Sequence, residues 1–429
     1  MGFTHLQART KRILVLGLVF IHILYNIAFS ASIPVMRILA FLGHSKFKAL
    51  FEMHSRAITP PVLDPGSSYA WFHCASLGEY EQASPVIEEY ISLHPNTPVL
   101  LTLFSPSGFN PLTANPPSWM RQSDHITALP LDTPRRVRSF LQSFKYQIKF
   151  FAAAKYEVWP QLLKSLKSVN PSIPTYVFAA HIPPHSQLTK SDPSGKFLRW
   201  TWSQLTDIFT QDSSSTSELS KFNISSTPLG DPRVDRVIHL ASQCSTHEKL
   251  KDWKGSAHLT IAGSSWYDEE VALATLPWDS SRKLLIAPHE VDSSHVSEIL
   301  NRFNAISSSK VASLLSENTL DTPVVIVDSI GLLTSLYPIA DLAIVGGGFS
   351  KGIHNVLEPA VHGVSVITGP NINRFREAIE LQSEGVLIAV NEQNKFAGVV
   401  WDYISKPRPT SIWLNLQSGA ARKIASQLP

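Results

Sequence analysis

Residues 341–370, DLAIVGGGFSKGIHNVLEPAVHGVSVITGP, contain the pattern that decides the fold of this chain. The apolar run 342–345 is typical of a buried parallel strand, and three glycines follow it directly. A helix is predicted to begin near Asn355, and residues 364–368 are predicted to form the next strand. Because parallel strands end at one edge of a sheet, the glycines and a helix N-terminus are expected where open α/β sheets bind phosphate groups.

Two interpretations of this stretch are open from its own residues. Three glycines after a strand can form only a tight turn, and their spacing differs from the G-x-G-x-x-G dinucleotide motif. Asn355 and Glu358 have the N-x-x-E spacing of a capping box, which would give Glu358 a purely structural role. A nucleotide or phosphate site and a structural turn therefore compete.

Size and composition describe a globular chain with an apolar excess. A length of 429 residues predicts two domains. The two cysteines, Cys74 and Cys244, lie far apart and do not suggest a disulfide framework. Seven of the Lys and Arg residues and a single acid, Glu52, fall within residues 1–60, although the whole chain carries only +3. The main body thus lacks the basic surplus of a nucleic-acid-binding protein, and no nucleic-acid partner is expected.

Residues 13–36, ILVLGLVFIHILYNIAFSASIPVM, form an uncharged run between basic flanks. As a helix the run would extend about 36 Å, enough to cross a bilayer core. A retained membrane anchor, spanning the bilayer or lying at its surface, is favoured over a signal peptide because the run is long for one. A buried helix of the first domain is the third interpretation. Membrane lipids are the partners expected at this end of the chain.

The rest of the chain alternates short apolar runs with helical patterns, which predicts parallel sheets covered on both faces. The polar stretch 235–256 carries no strand signal and marks the domain junction. The fold class expected is α/β, with two doubly wound Rossmann-like domains facing a cleft. The predicted bounds are 1–48 for the anchor and its basic flank, 49–235 for the N-terminal domain and 236–429 for the C-terminal domain.

Polar turns follow the predicted strands in both domains. Glu79 comes directly after Gly78 at the end of the first strand, where a carboxylate can act as a general base. An acid that complements the dipole of the following helix is an equally good interpretation of Glu79. The other polar turns are Ser-Pro-Ser-Gly at 105–108, Glu157, Gly-Ser-Ser-Trp at 263–266 and Pro-His-Glu at 288–290. Five such turns are more than chance alternation gives, and they are expected to line one cleft.

Eight stretches of the chain, in the order in which they occur, resemble the 3-deoxy-D-manno-octulosonic acid (Kdo) transferase family. The matching stretches are ASLGEYEQASPVI, TLFSPSGF, LPLDTP, KYEVWPQLL, LGDPRVDRV, IAGSSWYDEE, IAPHEV and residues 341–370, which together span residues 73 to about 390. The resemblance implies a GT-B glycosyltransferase that moves Kdo from CMP-Kdo to the lipid A precursor with inversion, in lipopolysaccharide biosynthesis. It also implies no metal or other cofactor, and catalytic domains on the cytoplasmic side of the inner membrane.

The resemblance also assigns roles to single residues. Glu79 is implied to be the general base, and Asn355 with Glu358 to contact the CMP moiety. The implied substrate-binding residues of the N-terminal domain are Ser76, Gly78, Ser105, Ser107 and Glu157. The implied donor-binding residues are Arg233, Ser264, Ser265, Pro288, His289, Gly346, Gly347, Gly348, Lys351, His354, Asn355 and Glu358. A role as loop hydrogen-bonding residues stays open for His289 and His354.

Three departures from the family pattern limit what the resemblance implies. Residues 288–290 lack the Arg of the family's Pro-Arg-His-Pro-Glu. Residues 230–233 read Gly-Asp-Pro-Arg where many members have Gly-Ser-Leu-Lys, and Arg233 can replace the positive charge of that Lys. Ala-Ala-His at 179–181 stands where many relatives have Asn-Ala-Arg-Leu-Ser. The exact acceptor and the number of sugars added therefore stay open.

Two other functions compete with Kdo transfer. One is a GT-B transferase that uses another nucleotide sugar and another lipid or glycan acceptor. The second is an inactive, membrane-anchored nucleotide-binding scaffold, and the retained Glu79 and the intact 341–370 stretch argue against it.

Overall fold

The structure, a computed structural model, divides into two compact units. It describes residues 2–56, 63–64, 66–143, 147–245, 247–305, 310–317, 320–350, 352–404, 406 and 413–429. The first unit comprises Met1–Arg236 together with Ser418–Pro429, and the second comprises Val237–Gln417. Lys351, one of the predicted donor contacts, lies outside the described residues.

The first unit is built on a seven-stranded parallel sheet with strand order β3-β2-β1-β4-β5-β6-β7. The strands are β1 (Tyr69–Cys74), β2 (Val99–Leu103), β3 (His125–Ala128), β4 (Ile148–Ala154), β5 (Thr175–Ala180), β6 (Asp207–Thr210) and β7 (Thr227–Pro228). Alternate residues of β1 enter two different cores: Trp71 packs with Phe151 on one face of the sheet, and Phe72 with Phe150 on the other. Since both faces of the sheet are covered, the strands at its centre, β1, β2, β4 and β5, are mostly apolar and buried, as the sequence predicted.

Two helices precede the first strand of this unit, and helices α3 to α8 connect its successive strands. The helices are α1 (Gly2–Phe41), α2 (Ser45–Arg56), α3 (Leu77–Leu93), α4 (Pro106–Ala114), α5 (Pro134–Gln142), α6 (Pro160–Val169), α7 (Pro193–Trp202), α8 (Ser213–Ser220) and α9 (Pro232–Gln243), which crosses into the second unit. Several of these helices begin with proline in the first turn, where a missing N–H costs no helical hydrogen bond.

Helix α1 packs one face against the first unit. His22 lies 3.1 Å and Asn26 3.0 Å from the side-chain oxygen of Gln161, and the Tyr25 hydroxyl donates to Asp132 at 2.9 Å. These three residues share one helix face because they are three or four positions apart. The N-terminal helix is therefore docked on the globular part through polar contacts.

Between Gly17 and Phe41, much of the remaining α1 surface is apolar and exposed. The stretch Gly17–Phe41 is long and apolar enough to cross a membrane. Its exposed side chains include Phe20, Ile23, Leu24, Ile27, Val35, Ile38 and Phe41. An apolar helix surface of this size is typical of contact with lipid or with another protein.

The second unit repeats the doubly wound plan, with strand order β10-β11-β9-β8-β12-β13-β14. Its strands are β8 (His258–Ser265), β9 (Arg282–Pro288), β10 (Ala312–Leu314), β11 (Val324–Ile326), β12 (Leu342–Val345), β13 (Ser365–Thr368) and β14 (Leu387–Ala389). Its helices are α10 (Glu248–Lys254), α11 (Tyr267–Ala274), α12 (Ser293–Asn304), α13 (Leu333–Leu336), α14 (Leu357–Ala360), α15 (Arg376–Ser383), α16 (Gln393–Tyr403) and α17 (Trp413–Gln417). The predicted pair of parallel, doubly wound α/β units is confirmed.

The end of the chain departs from the predicted domain bounds. The sequence analysis assigned residues 236–429 to the C-terminal domain, but helix α18 (Ala420–Ala425) packs against α3 of the first unit. Its backbone amides at Gly419 and Ala421 donate to the Asp235 carboxylate, and the Tyr90 hydroxyl donates to the Pro429 carbonyl at 2.8 Å. Residues 418–429 therefore belong to the first unit, because the apolar side of this short helix completes its core.

Candidate functional site

Glu79 lies in the first turn of α3, directly beyond the carboxyl end of β1. Ser76 is the N-cap residue of this helix in an extended conformation, and its hydroxyl donates to the Glu79 carboxylate. The carboxylate is half-exposed, and Gly78 leaves open space beside it. Both roles suggested by the sequence fit this position: the carboxylate complements the helix dipole and is accessible to a ligand.

The β2–α4 turn lies against the β1–α3 turn. The amide of Ser105 donates to the Ala75 carbonyl at 2.7 Å, and the hydroxyls of Ser105 and Ser107 are 2.8 Å apart. A Cβ at Gly108 would lie 3.0 Å from backbone atoms of Ser76 and Leu77, so glycine permits this close approach. The two serines are thereby held at the same sheet edge as Glu79.

Glu157 provides a second carboxylate at this edge, following β4. Burial and the charge of Glu79 raise the pKa of Glu157 to about 7, and only 19% of its side chain is exposed. His73 lies 3.9 Å away but is fully buried, which lowers its pKa to about 3, so the two groups do not form an ion pair at neutral pH. The imidazole instead bonds to Thr102 and to the indole N–H of Trp159. Glu79 and Glu157 thus lie close enough to interact, and the negative charge of Glu79 favours the protonated form of Glu157.

The raised pKa of Glu157 predicts how stability depends on pH. The folded state binds the proton more tightly than the unfolded state, whose pKa is near 4.5, so stability is lost as pH rises from about 4.5 to 7. We expect Glu157→Gln to have a free energy of unfolding higher than wild type by on the order of 1–3 kcal/mol at pH 8.5, and nearly equal to it at pH 4. Denaturant titrations at both pH values measure this difference. A gain that is equal at both pH values would contradict the assignment.

Arg233 lies in the first unit and is paired there. Its guanidinium bonds to the Asp231 carboxylate, with Nη2 at 2.7 Å and Nε at 2.9 Å, and Gln82 donates to the same carboxylate at 3.3 Å. The charge of Arg233 is therefore balanced by an acid of the same unit, and its predicted contact with the donor stays a prediction. His181 and Asp212, whose side chains lie 3.1 Å apart after β5 and β6, are further polar residues at this edge. Each of the two residues follows a strand, and this position is the sequence feature that could have identified them as site residues.

The glycine turn of the second unit is closely packed against its neighbours. A Cβ at Gly346 would lie 2.2 Å from the Ser264 carbonyl oxygen, and one at Gly348 would lie 2.4 Å from the Gly369 amide nitrogen. Gly347 has a φ of 89°, which side chains rarely adopt. The lack of space for a Cβ at Gly346 and Gly348 and the left-handed φ of Gly347 are therefore sufficient to explain why all three positions are glycine.

Two amides of this turn are already engaged within the unit. The Gly346 amide donates to the Gly263 carbonyl at 3.0 Å, and the Gly347 amide donates to the Glu269 carboxylate at 3.1 Å. Burial raises the pKa of Glu269 to about 7. These two amides are hydrogen-bonded within the protein, and the predicted contact of the turn with the donor phosphate stays a prediction. The turn also positions the loop that follows it.

Three rings stack at the carboxyl edge of this sheet. Trp266 and His289 have ring centroids 4.5 Å apart at an interplanar angle of 23°, and His289 and His354 have centroids 4.5 Å apart. Burial and the nearby His289 lower the pKa of His354. His289 is an exposed residue, so the cluster is accessible to a planar ligand. The sequence placed these residues in three separate turns and gave no indication that their rings meet.

Two further residues of the β8 and β9 turns, Ser265 and Pro288, are buried. Ser264 has a φ of 50°, an uncommon left-handed conformation at the end of β8. The Ser265 hydroxyl is buried and donates to Glu270 at 2.9 Å, and Pro288 is the buried last residue of β9. The Ser265 hydroxyl thus supports the Glu270 carboxylate, and the donor contact predicted for Ser265 stays a prediction.

Asn355 and Glu358 are joined to each other. The Asn355 amide donates to the Glu358 carboxylate at 3.0 Å, and the other carboxylate oxygen accepts from the Thr334 hydroxyl at 3.2 Å. The Asn355 side-chain oxygen accepts from the Leu357 amide, and the N-cap residue of α14 is Val356, one position later than the capping box predicts. Glu358 is thus a fixed, partly exposed carboxylate beside the glycine turn.

A cavity of about 250 Å³ lies beside the loop that follows the glycine turn. Its lining residues are Ser350, Gly352, Asn371, Asn373, Arg374 and Phe375. The sequence analysis did not single out residues 371–375, although they follow β13 as the other turns follow their strands. Arg374 adds an exposed cation close to the loop. Within the described residues, no group of three or more His, Cys, Asp or Glu side chains is placed to hold a metal ion.

Comparison with known proteins gives consistent matches. The family model described as 3-deoxy-D-manno-octulosonic-acid transferase (kdotransferase) matches residues 47–236. The 3-deoxy-D-manno-octulosonic acid transferase of Aquifex aeolicus is 28% identical over 362 residues, covering 83% of this chain and 91% of that protein. The transferase of the same name from Haemophilus influenzae is 29% identical and covers 74% of each chain.

Solved structures of low identity share the fold. The UDP-GlcNAc 2-epimerase of Neisseria meningitidis bound to UDP-GlcNAc superposes with a TM-score of 0.56 at 11% identity, covering 84% of this chain and 99% of that one. The epimerase of Methanocaldococcus jannaschii gives a TM-score of 0.54 at 12% identity, with the same coverage. At such identities the likeness concerns the fold alone, which is the GT-B architecture.

Proposed function

We propose that this chain, which belongs to the 3-deoxy-D-manno-octulosonic acid (Kdo) transferase family and is a glycosyltransferase, transfers Kdo from CMP-Kdo to a lipid A precursor. The observation that carries the chemistry is the pair of carboxylates at the edge of the first sheet, Glu79 and Glu157. The family supports the choice of donor and acceptor. A GT-B transferase for another nucleotide sugar is the alternative, and the nucleotide specificity of the second unit separates the two.

In the proposed reaction Glu79 is the general base. It takes the proton of the acceptor hydroxyl while that oxygen forms a bond to the anomeric carbon of the donor. The bond from this carbon to the phosphate oxygen breaks with inversion, and its electron pair leaves with CMP through an oxocarbenium-like transition state. Glu79 is suited to this role because its carboxylate is half-exposed and is held by the Ser76 hydroxyl.

The second unit is proposed to hold the donor. The ring cluster of Trp266, His289 and His354 offers a surface on which a cytosine base can stack. Glu358 is positioned by Asn355 and Thr334 to accept hydrogen bonds from ribose hydroxyls. Arg374, in the cavity beside the loop, is suited to the phosphate. We propose that no metal takes part, since a single phosphate calls for less charge neutralisation than a diphosphate.

We also propose a location at the inner membrane, with both units on the cytoplasmic side. The apolar surface of α1 supports membrane association, and the proposed acceptor is itself a membrane lipid. Which side of the membrane the units occupy follows from the family resemblance.

The role of Glu358 gives a testable prediction. If Glu358 accepts hydrogen bonds from ribose, Glu358→Gln replaces a charged acceptor by a neutral one, and CMP affinity should fall about tenfold or more, since such bonds contribute roughly 1.5–3 kcal/mol. Calorimetric titration with CMP measures the loss, with melting temperature as the check on folding. Glu384→Gln, an exposed acid after α15, is the matched control and should bind normally. Unchanged affinity in Glu358→Gln would assign this residue to structure alone.

Nucleotide specificity tests the proposed donor directly. Titration of the full chain with CMP, UMP and UDP-N-acetylglucosamine should show CMP bound at least tenfold more tightly than the uridine ligands. Preference for a uridine ligand would favour the alternative transferase.

A further inference from the structure

A cavity of the first unit lies away from Glu79, beside the N-terminal helices. It has a volume of about 670 Å³ and is bounded by α1, α2 and the start of α5. Its lining residues are Ser30, Ile33, His54, Ala128, Pro130, Thr133, Pro134, Arg135, Arg136, Ser139 and Phe140. No acid is present among these lining residues, whereas two are arginines. The cavity therefore favours a negatively charged ligand.

Arg136 gives the cavity an uncompensated positive charge. Its side chain is half-buried, and in the described part of the chain no acidic side chain forms an ion pair with it. Burial and the nearby charge of Arg37 lower the pKa of Arg136, so the two guanidinium groups repel each other. Asp132 is close in sequence, but its carboxylate accepts the Tyr25 hydroxyl and the amides of Gln161 and Leu162. A bound anion would relieve the repulsion between the arginines.

His54 adds a buried polar atom without a partner. Its side chain is 7% exposed, lines the cavity, and has no hydrogen-bond partner for Nε2. Burial and the charge of Arg136 lower the pKa of His54 to about 4, so the ring is neutral at pH 7 and can donate from one nitrogen. Buried polar atoms are nearly always hydrogen-bonded in folded proteins. The free nitrogen of His54 thus points to a ligand in this cavity.

The start of α5 supplies further donors. Thr133 is the N-cap residue of this nine-residue helix, but its side chain makes no capping hydrogen bond. The first-turn amides of a helix have no partner within the helix, and the dipole makes this end positive. The residues of this turn, Pro134, Arg135 and Arg136, line the cavity. Helix amides, an unpaired guanidinium and an imidazole are the groups that bind phosphate in proteins.

The position of the cavity indicates where the phosphate comes from. One wall is formed by Ser30 and Ile33 of α1, whose other side chains at Ile27, Val35 and Ile38 are exposed and apolar. We propose that this cavity binds the phosphate headgroup of an anionic membrane lipid, whose acyl chains lie along the exposed apolar surface of α1. The site is distinct from Glu79 and from the donor-binding unit, and it does not depend on the proposed transfer reaction.

Native mass spectrometry of the full chain in neutral detergent tests the proposal without any sugar donor. We expect one molecule of dioctanoyl phosphatidic acid to be retained per chain, whereas dioctanoyl phosphatidylcholine and inorganic phosphate bind at least tenfold more weakly. Arg136→Gln should weaken binding of phosphatidic acid about tenfold, and Arg136→Lys should restore part of it. Arg138→Gln is the matched control, because Arg138 is exposed on the same helix and does not line the cavity.

The outcomes separate the sources of the anion. Equal weakening by Arg136→Gln and Arg138→Gln would show only general charge attraction and would overturn the proposal. Inorganic phosphate bound as tightly as phosphatidic acid would make the site one for free phosphate and would overturn the lipid assignment. Melting temperatures of the variants establish that each is folded, and loss of transfer activity without loss of lipid binding would leave the proposal intact.

Discussion

Glu79→Gln is expected to lower the rate of sugar transfer by ~10²–10⁴, because loss of a positioned general base typically has this effect. The carboxylate lies at the edge of the first sheet, where the Ser76 hydroxyl donates a hydrogen bond to it. Its charge contributes to the raised pKa of Glu157. Gln keeps the size of the side chain and can still accept a hydrogen bond from the Ser76 hydroxyl. Folding and CMP affinity should therefore stay close to those of wild type.

The measurement is the single-turnover rate with saturating donor and acceptor. Glu89→Gln, on the same helix but far along it from the sheet edge, is the control and should transfer at the wild-type rate. If Glu79→Gln kept more than a tenth of wild-type turnover, the base would be another residue. Glu157 would then be the next candidate.

Gly346→Ala is expected to destabilise the second unit by about 3 kcal/mol, at the upper end of the usual cost of overpacking. The added methyl group would lie 2.2 Å from the Ser264 carbonyl oxygen and 2.8 Å from two other backbone atoms. Backbone atoms cannot rotate away as a flexible side chain can, so the glycine turn or the end of β8 must move. Because the turn positions the loop leading to His354, CMP affinity should fall more than tenfold in the protein that still folds.

Gly398→Ala provides the matched control for this change. Gly398 lies within α16, has open space around its Cα and has no left-handed φ. Alanine is the better helix former, so this variant should be more stable than wild type by roughly 0.8–1 kcal/mol. Denaturant unfolding and calorimetry with CMP measure both effects. Wild-type stability in Gly346→Ala would contradict the close packing of the turn.

The fold could be predicted well from sequence because its signals are local. Apolar runs such as 342–345 and 259–262 predict both that a strand forms and that it is buried on two faces. The alternation of such strands with helices predicts a parallel sheet. The return of α18 to the first unit could not be predicted, since a six-residue helix has an apolar face but nothing in its sequence says which core that face completes.

For the candidate site, the sequence predicted where the polar residues lie better than it predicted which groups their side chains contact. Polar residues directly after strands, such as Glu79 and Glu157, do lie at the sheet edge, because that placement follows from topology. The direction of each side chain depends on neighbours that are distant in sequence. The Gly347 amide is engaged by Glu269, the Ser265 hydroxyl by Glu270, and Arg233 by Asp231. None of these pairings leaves a signal in spacing or composition.

The most direct test of the central claim is transfer itself. The purified full chain is incubated with CMP-Kdo and a tetraacylated lipid A precursor, and the lipid product is analysed by mass spectrometry, with Glu79→Gln in parallel. We predict that the wild-type enzyme increases the mass of the lipid by one or more Kdo residues and that Glu79→Gln does not within the same time. An unmodified lipid with wild-type protein that binds CMP, or equal products from both proteins, would contradict the account.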